Sequence, residues 1–268
     1  MLAFATRRIV ATVPVMLIVA LIVFSLLYLA PGDPAAIIAG DQATPADVER
    51  IRASLGLDRP FVVRFADWIW HVLHGDLGVS IFTNLPVTKM IAQRIQPTVS
   101  LMSTTLVLSL VLAIPMGVVA AWRQGRIVDR AVMVMAVFGF SVPVFVVGYL
   151  LAYIFALQFE WLPVQGYTPI EDGFWPWLSN LILPSIALGG IYIALIARIT
   201  RASMLEVLSQ DYIRTARAKG LGQRPILFVH ALKNAAVPIV TVVGLGFAAL
   251  IGGAVVTESV FAIPGLGG

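Results

Sequence analysis

Two histidines, within the sequence DWIWHVLHGD, have the spacing that comes closest to a metal site. His71 and His74 would share one face of a helix, and the carboxylates of Asp67 and Asp76 are near them in the sequence. The bulky apolar residues around the histidines are typical of a helix at a membrane interface, and this is the interpretation we favour. The chain also shows no Ser-His-Asp or paired-carboxylate pattern, so we expect neither a metal site nor a catalytic residue.

The lysines exclude a nucleotide site of the P-loop type. A P-loop requires a Gly-Lys-Ser/Thr sequence, because its backbone N–H groups and the lysine together bind the phosphates. The chain has three lysines, Lys89, Lys219 and Lys233, and none of them follows a glycine. We therefore expect no ATP and no other cofactor on this chain. It also has no cysteine, which excludes thiolate metal ligands and a cysteine nucleophile.

The composition identifies lipid as the solvent of most of the chain. Hydrophobic residues make up 59% of the sequence and charged residues 12%, more apolar surface than one soluble core of this length can bury. Five uncharged segments each have about the ~20 residues that cross a bilayer: 9–30, 98–121, 131–157, 178–197 and 234–257. We predict an all-α, polytopic membrane protein in which residues 1–268 form a single domain that contains all the spans. The first segment exceeds the ~7–15 apolar residues of a cleavable signal and is predicted to be retained.

The positions of Lys and Arg predict that the N-terminus lies in the cytoplasm. Residues 122–130 and 198–233 then lie in the cytoplasm, and with Arg7 and Arg8 they hold 12 of the 18 basic residues. The opposite side has segments 31–97 and 158–177 and the tail 258–268, with 11 of the 14 acidic residues. Five spans leave the C-terminus outside, so we expect a sixth span to follow in the natural protein.

The predicted spans contain no charged residue. Ion-coupled transporters and proton pumps usually keep ionisable residues in the membrane, where these bind the driving ion. An ion-coupled mechanism is therefore disfavoured, although a Na⁺ site built from backbone carbonyls stays open. A homomeric channel or carrier and a non-transporting membrane scaffold also remain open on these grounds.

A short basic stretch, DYIRTARAKGLG, interrupts the apolar pattern at Asp211–Gly222. Asp211 can cap a helix and Gly220 can adopt the left-handed conformation that ends one, so we predict a helix from Tyr212 to Lys219. Its apolar face is small and lacks the bulky side chains of a lipid anchor. We favour a helix that docks on a partner protein over a membrane-surface helix or a plain connector.

The same stretch, followed by HALKNAAVP at 230–238, resembles the cytoplasmic loop of ABC-importer permeases of the dipeptide, oligopeptide and nickel branch. The wider family reads Glu-Ala-Ala, three residues, then Gly; here Arg214, Thr215 and Ala216 precede Gly220 at those positions. The resemblance covers nearly the whole chain through further fragments in the same order: LAPGDP at 29–34, LGLDRP at 55–60, GDLGVS at 75–80, SVPVFVVG at 141–148 and TESVFAIPGLGG at 257–268.

The resemblance implies the type I ABC-importer permease fold, with six spans, in the bacterial inner membrane. Such a permease pairs with a second permease, and two cytoplasmic ATPase subunits bind ATP and Mg. An external solute-binding protein delivers the substrate and docks on the outer segments; no nucleic acid is involved. Short peptides are the expected substrate, while glutathione and nickel complexes stay open because the binding protein selects the substrate.

The resemblance also assigns the basic stretch as the coupling helix that fits a groove on an ATPase. Close contact would come from Ile213, Ala216 and Ala218. Acidic or carbonyl groups of the ATPase would pair with Arg214, Arg217 and Lys219. Gly220 would set the exit turn. The complete set of predicted coupling residues is Tyr212, Ile213, Arg214, Thr215, Ala216, Arg217, Ala218, Lys219 and Gly220.

A second candidate site lies at Ser141 and Pro143. Proline cannot donate a backbone hydrogen bond, so a kink at Pro143 would free a carbonyl and, with Ser141, shape the translocation pathway near the partner permease. Ordinary helix packing around Gly139 and Gly148 is the alternative.

Overall fold

The computed structural model describes residues 2–29, 32–40, 43–54, 56–80, 83 and 85–267. They belong to two compact units, Met1–Ile91 and Ala92–Gly268. The described residues are predominantly helical, and their only β pairing is an isolated bridge between Val79 and Pro86. The prediction of an all-α protein is confirmed.

Among its described residues, the first unit contains four complete helices: α1 (Leu2–Leu29), α2 (Pro34–Ala39), α3 (Pro45–Ser54) and α4 (Phe61–Leu73). The stretch Thr6–Leu26 of α1 is long and apolar enough to cross a membrane. Aromatic packing joins α1 to α4, because the ring of Phe24 lies 5.4 to 5.6 Å from the rings of Phe61, Phe65 and Trp68. These edge-on and tilted contacts hold the apolar face of α4 against the membrane helix.

Two of the quoted fragments in this unit contain an aspartate that bonds to a nearby backbone N–H. In LAPGDP, the carboxylate of Asp33 caps α2 by accepting a hydrogen bond from the backbone N–H of Ala35 at 3.0 Å. The same carboxylate pairs with Arg52 of α3. In GDLGVS, Asp76 accepts a hydrogen bond from the N–H of Gly78 at 2.8 Å. Both aspartates therefore stabilise the local backbone, and Asp33 also links α2 to α3.

The second unit is built around long helices joined by short ones. The α-helices are α5 (Val87–Trp122, which begins in the first unit), α6 (Ile127–Ser141), α7 (Val144–Leu151), α8 (Phe174–Leu208), α9 (Asp211–Ala218), α10 (Gln223–Pro225) and α11 (Leu232–Val260). Two π-helical stretches, Ala152–Gln158 and Ile226–Ala231, and a 3₁₀ turn at Ile170–Asp172 complete it. Much of the predicted loop 198–233 is thus helical, since α8 continues to Leu208.

Four helical stretches of the described residues are long and apolar enough to cross a membrane: Thr6–Leu26, Val87–Trp122, Phe174–Leu208 and Gln223–Val260. The segment predicted as the span 131–157 is instead a bent pair, Ile127–Ser141 and Val144–Gln158, whose axes differ by 106°. With that pair counted as one span there are five. The prediction of a polytopic membrane protein is confirmed, while the sixth span stays a prediction.

Helix α8 is the central element of the second unit. It packs against α6, α7 and α11, and small residues allow the close approach. A Cβ added to Gly117 of α5 would lie 2.6 Å from Cβ of Thr200 and 2.7 Å from the carbonyl oxygen of Ala197. One added to Gly139 of α6 would lie 2.8 Å from the carbonyl oxygen of Gly190. Lipid supplies little hydrophobic force between helices, so such close packing is their main source of attraction.

A buried ion pair fixes the end of α6 on α8. The side chain of Asp129 is 5% exposed, and its Oδ2 accepts hydrogen bonds from Nη2 of Arg201 at 2.8 Å and from the N–H of Gly125 at 2.9 Å. Nε of Arg201 also donates to Oδ1 of Asp129. The carboxylate thereby ties the α5–α6 turn to α8.

Candidate functional site

The predicted coupling segment forms the separate short helix α9, which begins one residue earlier than expected. The N-cap is Gln210, which makes no side-chain capping bond, and Asp211 is the first helical residue. Oδ1 of Asp211 accepts a hydrogen bond from Nη1 of Arg214 at 3.2 Å, and its carbonyl oxygen accepts one from Oγ1 of Thr215 at 3.0 Å. Asp211 still favours the helix start, because its charge lies near the positive end of the helix dipole.

The exit from α9 has the geometry that the sequence predicted for Gly220. Its φ is +80°, in the left-handed region. The N–H of Gly220 donates to the carbonyl of Arg217 at 2.9 Å, and the N–H of Leu221 donates to that of Ala216 at 3.2 Å. This pair of bonds defines a Schellman motif, which satisfies carbonyls that a helix end would otherwise leave free.

Ile213 requires a correction, because it is 0% exposed and therefore not available to contact a partner. Helix α9 packs against the π-helical stretch Ile226–Ala231 of the same chain, and Ile213 is its one buried residue. Sequence analysis identified the apolar face of the helix but could not tell which protein covers it. Ile213 anchors α9 to its own chain.

The surface of α9 around Ile213 is exposed and positively charged. Tyr212 is 45% exposed, and the side chains of Arg214, Arg217, Ala218 and Lys219 are also exposed. Ala216 is half-buried. Asp211 is the only acidic residue in the segment 211–222. This surface presents cations and little apolar bulk, so it suits a protein surface rich in carboxylates or carbonyl oxygens.

Ser141 and Pro143 mark a helix break rather than the expected kink. Helix α6 ends at Ser141, Val142 is extended, and Pro143 is the N-cap of α7, where its missing N–H costs no helical bond. Ser141 is exposed and donates to the carbonyl of Val137 at 2.9 Å. The packing alternative has direct contacts: a Cβ on Gly148 would lie 3.1 Å from Phe261 and Val260, besides the close approach of Gly139 to Gly190.

The two candidate regions lie at opposite ends of α6. Arg126, which precedes α6, lines one cavity together with Arg217 of α9, whereas Ser141 is the last residue of α6. At ~1.5 Å per residue, the helix separates them by roughly 20 Å. The structure thus places the predicted coupling residues on one short helix and its exit turn, and it places the break at the far end of α6.

Glu258 is a buried carboxylate that sequence reasoning did not single out. It is 1% exposed and accepts hydrogen bonds from Oγ1 of Thr98 at 2.5 Å and from the N–H of Gly267 at 2.8 Å. Oγ1 of Thr98 also accepts one from the N–H of Leu266 at 2.9 Å. The carboxylate thereby closes the end of the fragment TESVFAIPGLGG into a loop over α5.

Gly265 leaves no room for a side chain as long as Glu258 keeps its position. A Cβ added to Gly265 would lie 2.2 Å from the carboxylate of Glu258. The glycine-rich end of the fragment was the only sequence signal for this loop. It did not indicate a buried acid, because the local sequence does not show that Thr98 bonds to Glu258.

The two histidines of α4 bond to their own helix. Nδ1 of His71 lies 2.7 Å from the carbonyl oxygen of Asp67, and Nδ1 of His74 lies 2.7 Å from that of Trp70. Within the described ranges, no group of three or more His, Cys, Asp or Glu side chains has an arrangement that could hold a metal ion.

Comparison with known proteins identifies the class. Residues 113–268 match the family described as binding-protein-dependent transport system inner membrane component, and residues 1–102 match the N-terminal domain of such membrane components. The chain belongs to this family of ABC-importer permeases, so the resemblance found in the sequence is confirmed. As a transport permease, it is a multi-pass protein of the inner membrane.

The relatives that the chain matches are named as permeases. A probable peptide ABC transporter permease of Sinorhizobium fredii is 54% identical over 264 residues, 98% of this chain and 84% of the relative. A putative peptide transport system permease of Brucella abortus is 46% identical over 267 residues, 100% of this chain and 85% of the relative. A glutathione transport system permease of Salmonella typhi is 42% identical over 267 residues, with the same coverage.

Proposed function

We propose that this ABC permease imports short peptides, and that α9 couples it to a cytoplasmic ATPase. A second permease would complete the translocation pathway, and a solute-binding protein would dock on segments 31–97 and 158–177. ATP and Mg would bind the ATPase subunits, whose closure would push or pull α9 and switch the permease pair between its two orientations. Peptide import is supported by the names of the relatives from Sinorhizobium and Brucella.

The observation that carries the coupling role is the two-sided construction of α9. One fully buried side chain, Ile213, anchors the helix to its own chain, while exposed cations surround it on the helix surface. The Schellman exit fixes the end of the helix. A helix held rigidly in this way can transmit the motion of a bound partner to α8 and α11, which flank it along the chain.

The pathway role of Ser141 and Pro143 is part of the same proposal. The break leaves a serine hydroxyl exposed at a helix end, where irregular backbone in a membrane protein is tolerated if it lines a cavity or a protein contact. Crosslinks from position 141 to the second permease or to substrate would support this role. Crosslinks only within the chain would favour packing.

The experiment is purification of the natural full-length protein in mild detergent, with mass spectrometry of the subunits that remain bound. We expect a second permease and an ATPase with the wild-type protein. Arg217→Glu should lose most of the ATPase, because it places an acid where a cation meets acidic or carbonyl groups. Arg217→Lys keeps the positive charge and should retain more of the bound ATPase.

Arg224→Glu is the matched control, since it makes the same charge reversal on an exposed residue outside α9. ATPase loss that is equal in Arg217→Glu and Arg224→Glu would contradict a specific role for α9. Purification of this chain without any partner, together with substrate flux through the chain alone in liposomes, would favour a homomeric channel or carrier.

A further inference from the structure

We propose that the turn between α5 and α6 binds the phosphate of an anionic membrane lipid, with Arg126 as the central ligand. We call residues 122–130 the arginine turn. It runs from the last residue of the apolar helix α5 into the first turn of α6, and it contains Arg123, Arg126 and Arg130. This inference needs only the membrane location of the protein and is independent of peptide import.

Two open cavities meet at Arg126. The first, of about 440 Å³, is lined by Arg123, Gly125, Arg126, Ile127, Val128 and Arg130. The second, of about 380 Å³, includes Gln124, Arg126, Ser209 and Arg217 in its lining. Each cavity therefore combines at least two guanidinium groups with room for a phosphate.

The chain does not neutralise these cations itself. Asp129 is the only acidic residue of the arginine turn, and its two oxygens are already bonded to Arg201 and to the N–H of Gly125. Within the part of the chain that the structure describes, no carboxylate forms an ion pair with Arg123, Arg126 or Arg217. These exposed cations are therefore open to an external anion, and guanidinium groups bind phosphate oxygens in a fork geometry.

The surroundings of the turn favour a lipid phosphate over a dissolved one. Ile127 lines the first cavity and is 84% exposed, and Trp122 lines the second and is 46% exposed. The guanidinium of Arg123 lies 5.2 Å from the centre of the Trp122 ring. Tryptophan beside arginine at the end of an apolar helix is typical of the headgroup level, and an acyl chain would cover the exposed isoleucine.

The test measures binding of fluorescent phosphatidylglycerol to the natural full-length protein, with its bound subunits, in mild detergent. Arg126→Gln should weaken binding about fivefold, the effect of one basic residue at an anionic surface. Arg224→Gln also removes one positive charge, but at a position outside both cavities, and it should change lipid binding little. Phosphatidylcholine, which has the same phosphodiester but no net charge, should bind weakly to all three proteins.

Three outcomes would overturn the proposal. Equal weakening by Arg126→Gln and Arg224→Gln would show a diffuse charge effect without a site. Displacement of the lipid by millimolar inorganic phosphate would show a site for a dissolved anion. Unchanged lipid binding with loss of the ATPase in Arg126→Gln would assign the cavities to an acidic segment of that partner.

Discussion

At the scale of single residues, the one buried side chain of α9 determines which of its residues are available to a partner. Ile213 holds the helix on its own chain, so contact with a partner falls to the exposed side chains around it. A predicted apolar face therefore does not identify the surface that it meets. That assignment depends on packing against Ile226–Ala231. This stretch is close in the sequence but lies outside the residue pattern of α9 itself.

Gly220 provides a test of whether the exit turn matters for coupling. Gly220→Val should reduce substrate uptake severalfold, because a β-branched residue is strained at φ +80° by about 1–2 kcal/mol. No atom lies within 4 Å of the added Cβ, so the effect comes from the backbone and not from a clash. Uptake is measured in cells and normalised to the amount of the variant in the membrane.

Two variants serve as controls for this experiment. Gly222→Val places the same side chain two residues further on, at φ −66° and with its Cβ 3.9 Å from the nearest atom, and should leave uptake nearly unchanged. Gly220→Asn should be milder than Gly220→Val, since asparagine tolerates the left-handed region. Full uptake by Gly220→Val at normal abundance would contradict a coupling role for the turn.

Glu258 illustrates a residue whose role depends wholly on distant contacts. From the sequence it belonged to an external tail, whereas in the structure it is buried and bonded to Thr98 and Gly267. Thr98 is 160 positions away in the chain. A buried carboxylate is costly unless such donors surround it, so its burial follows from tertiary structure.

At the scale of helices, the packing of α8 depends on small residues at its contacts. Gly117→Ala should destabilise the protein by about 1–3 kcal/mol, because its Cβ would overlap Thr200 and the backbone of Ala197. The backbone oxygen cannot move aside as a flexible side chain can. The measurement is the thermal unfolding midpoint in detergent, together with the amount of folded protein in the membrane.

Gly244→Ala in α11 is the matched control, because no atom lies within 4 Å of its added Cβ. It should be neutral or slightly stabilising, since alanine is the better helix former. Equal unfolding midpoints for the two variants would contradict the close α5–α8 contact.

The break at Pro143 shows the limit of sequence analysis for helices. Proline predicts an interruption, and the structure has one, but the 106° between the two helical axes could not be anticipated. Val142 and Pro143 only free the backbone; the direction of α7 is set by its packing on α8 and α11. The bend therefore belongs to the tertiary structure.

At the scale of the whole molecule, orientation in the membrane is the main prediction that can be tested directly. The chain lacks cysteine, so single cysteines can be introduced without removing any. Gln223→Cys should resist a membrane-impermeant maleimide in spheroplasts and react after lysis, because positive flanks stay in the cytoplasm. Ala46→Cys should react in intact spheroplasts. Both positions are exposed, so the barrier would be the membrane and not the fold.

The reverse labelling pattern would place the N-terminus outside and would move α9 away from a cytoplasmic ATPase. Equal labelling of both positions before lysis would indicate leaky spheroplasts, which a cytoplasmic marker protein detects. Labelling is read as a mass shift of the purified chain.

The sequence by itself determined the membrane class, the family and the position of the basic helix, because these depend on local quantities. Apolar length, the spacing of Asp211 and Gly220, and the order of short fragments all act within one stretch of chain. The tertiary structure decided that Ile213 faces inward, that Thr98 meets Glu258, and that two cavities share Arg126. Each of these depends on which segments pack together, and the pattern within a single stretch of chain does not specify that packing.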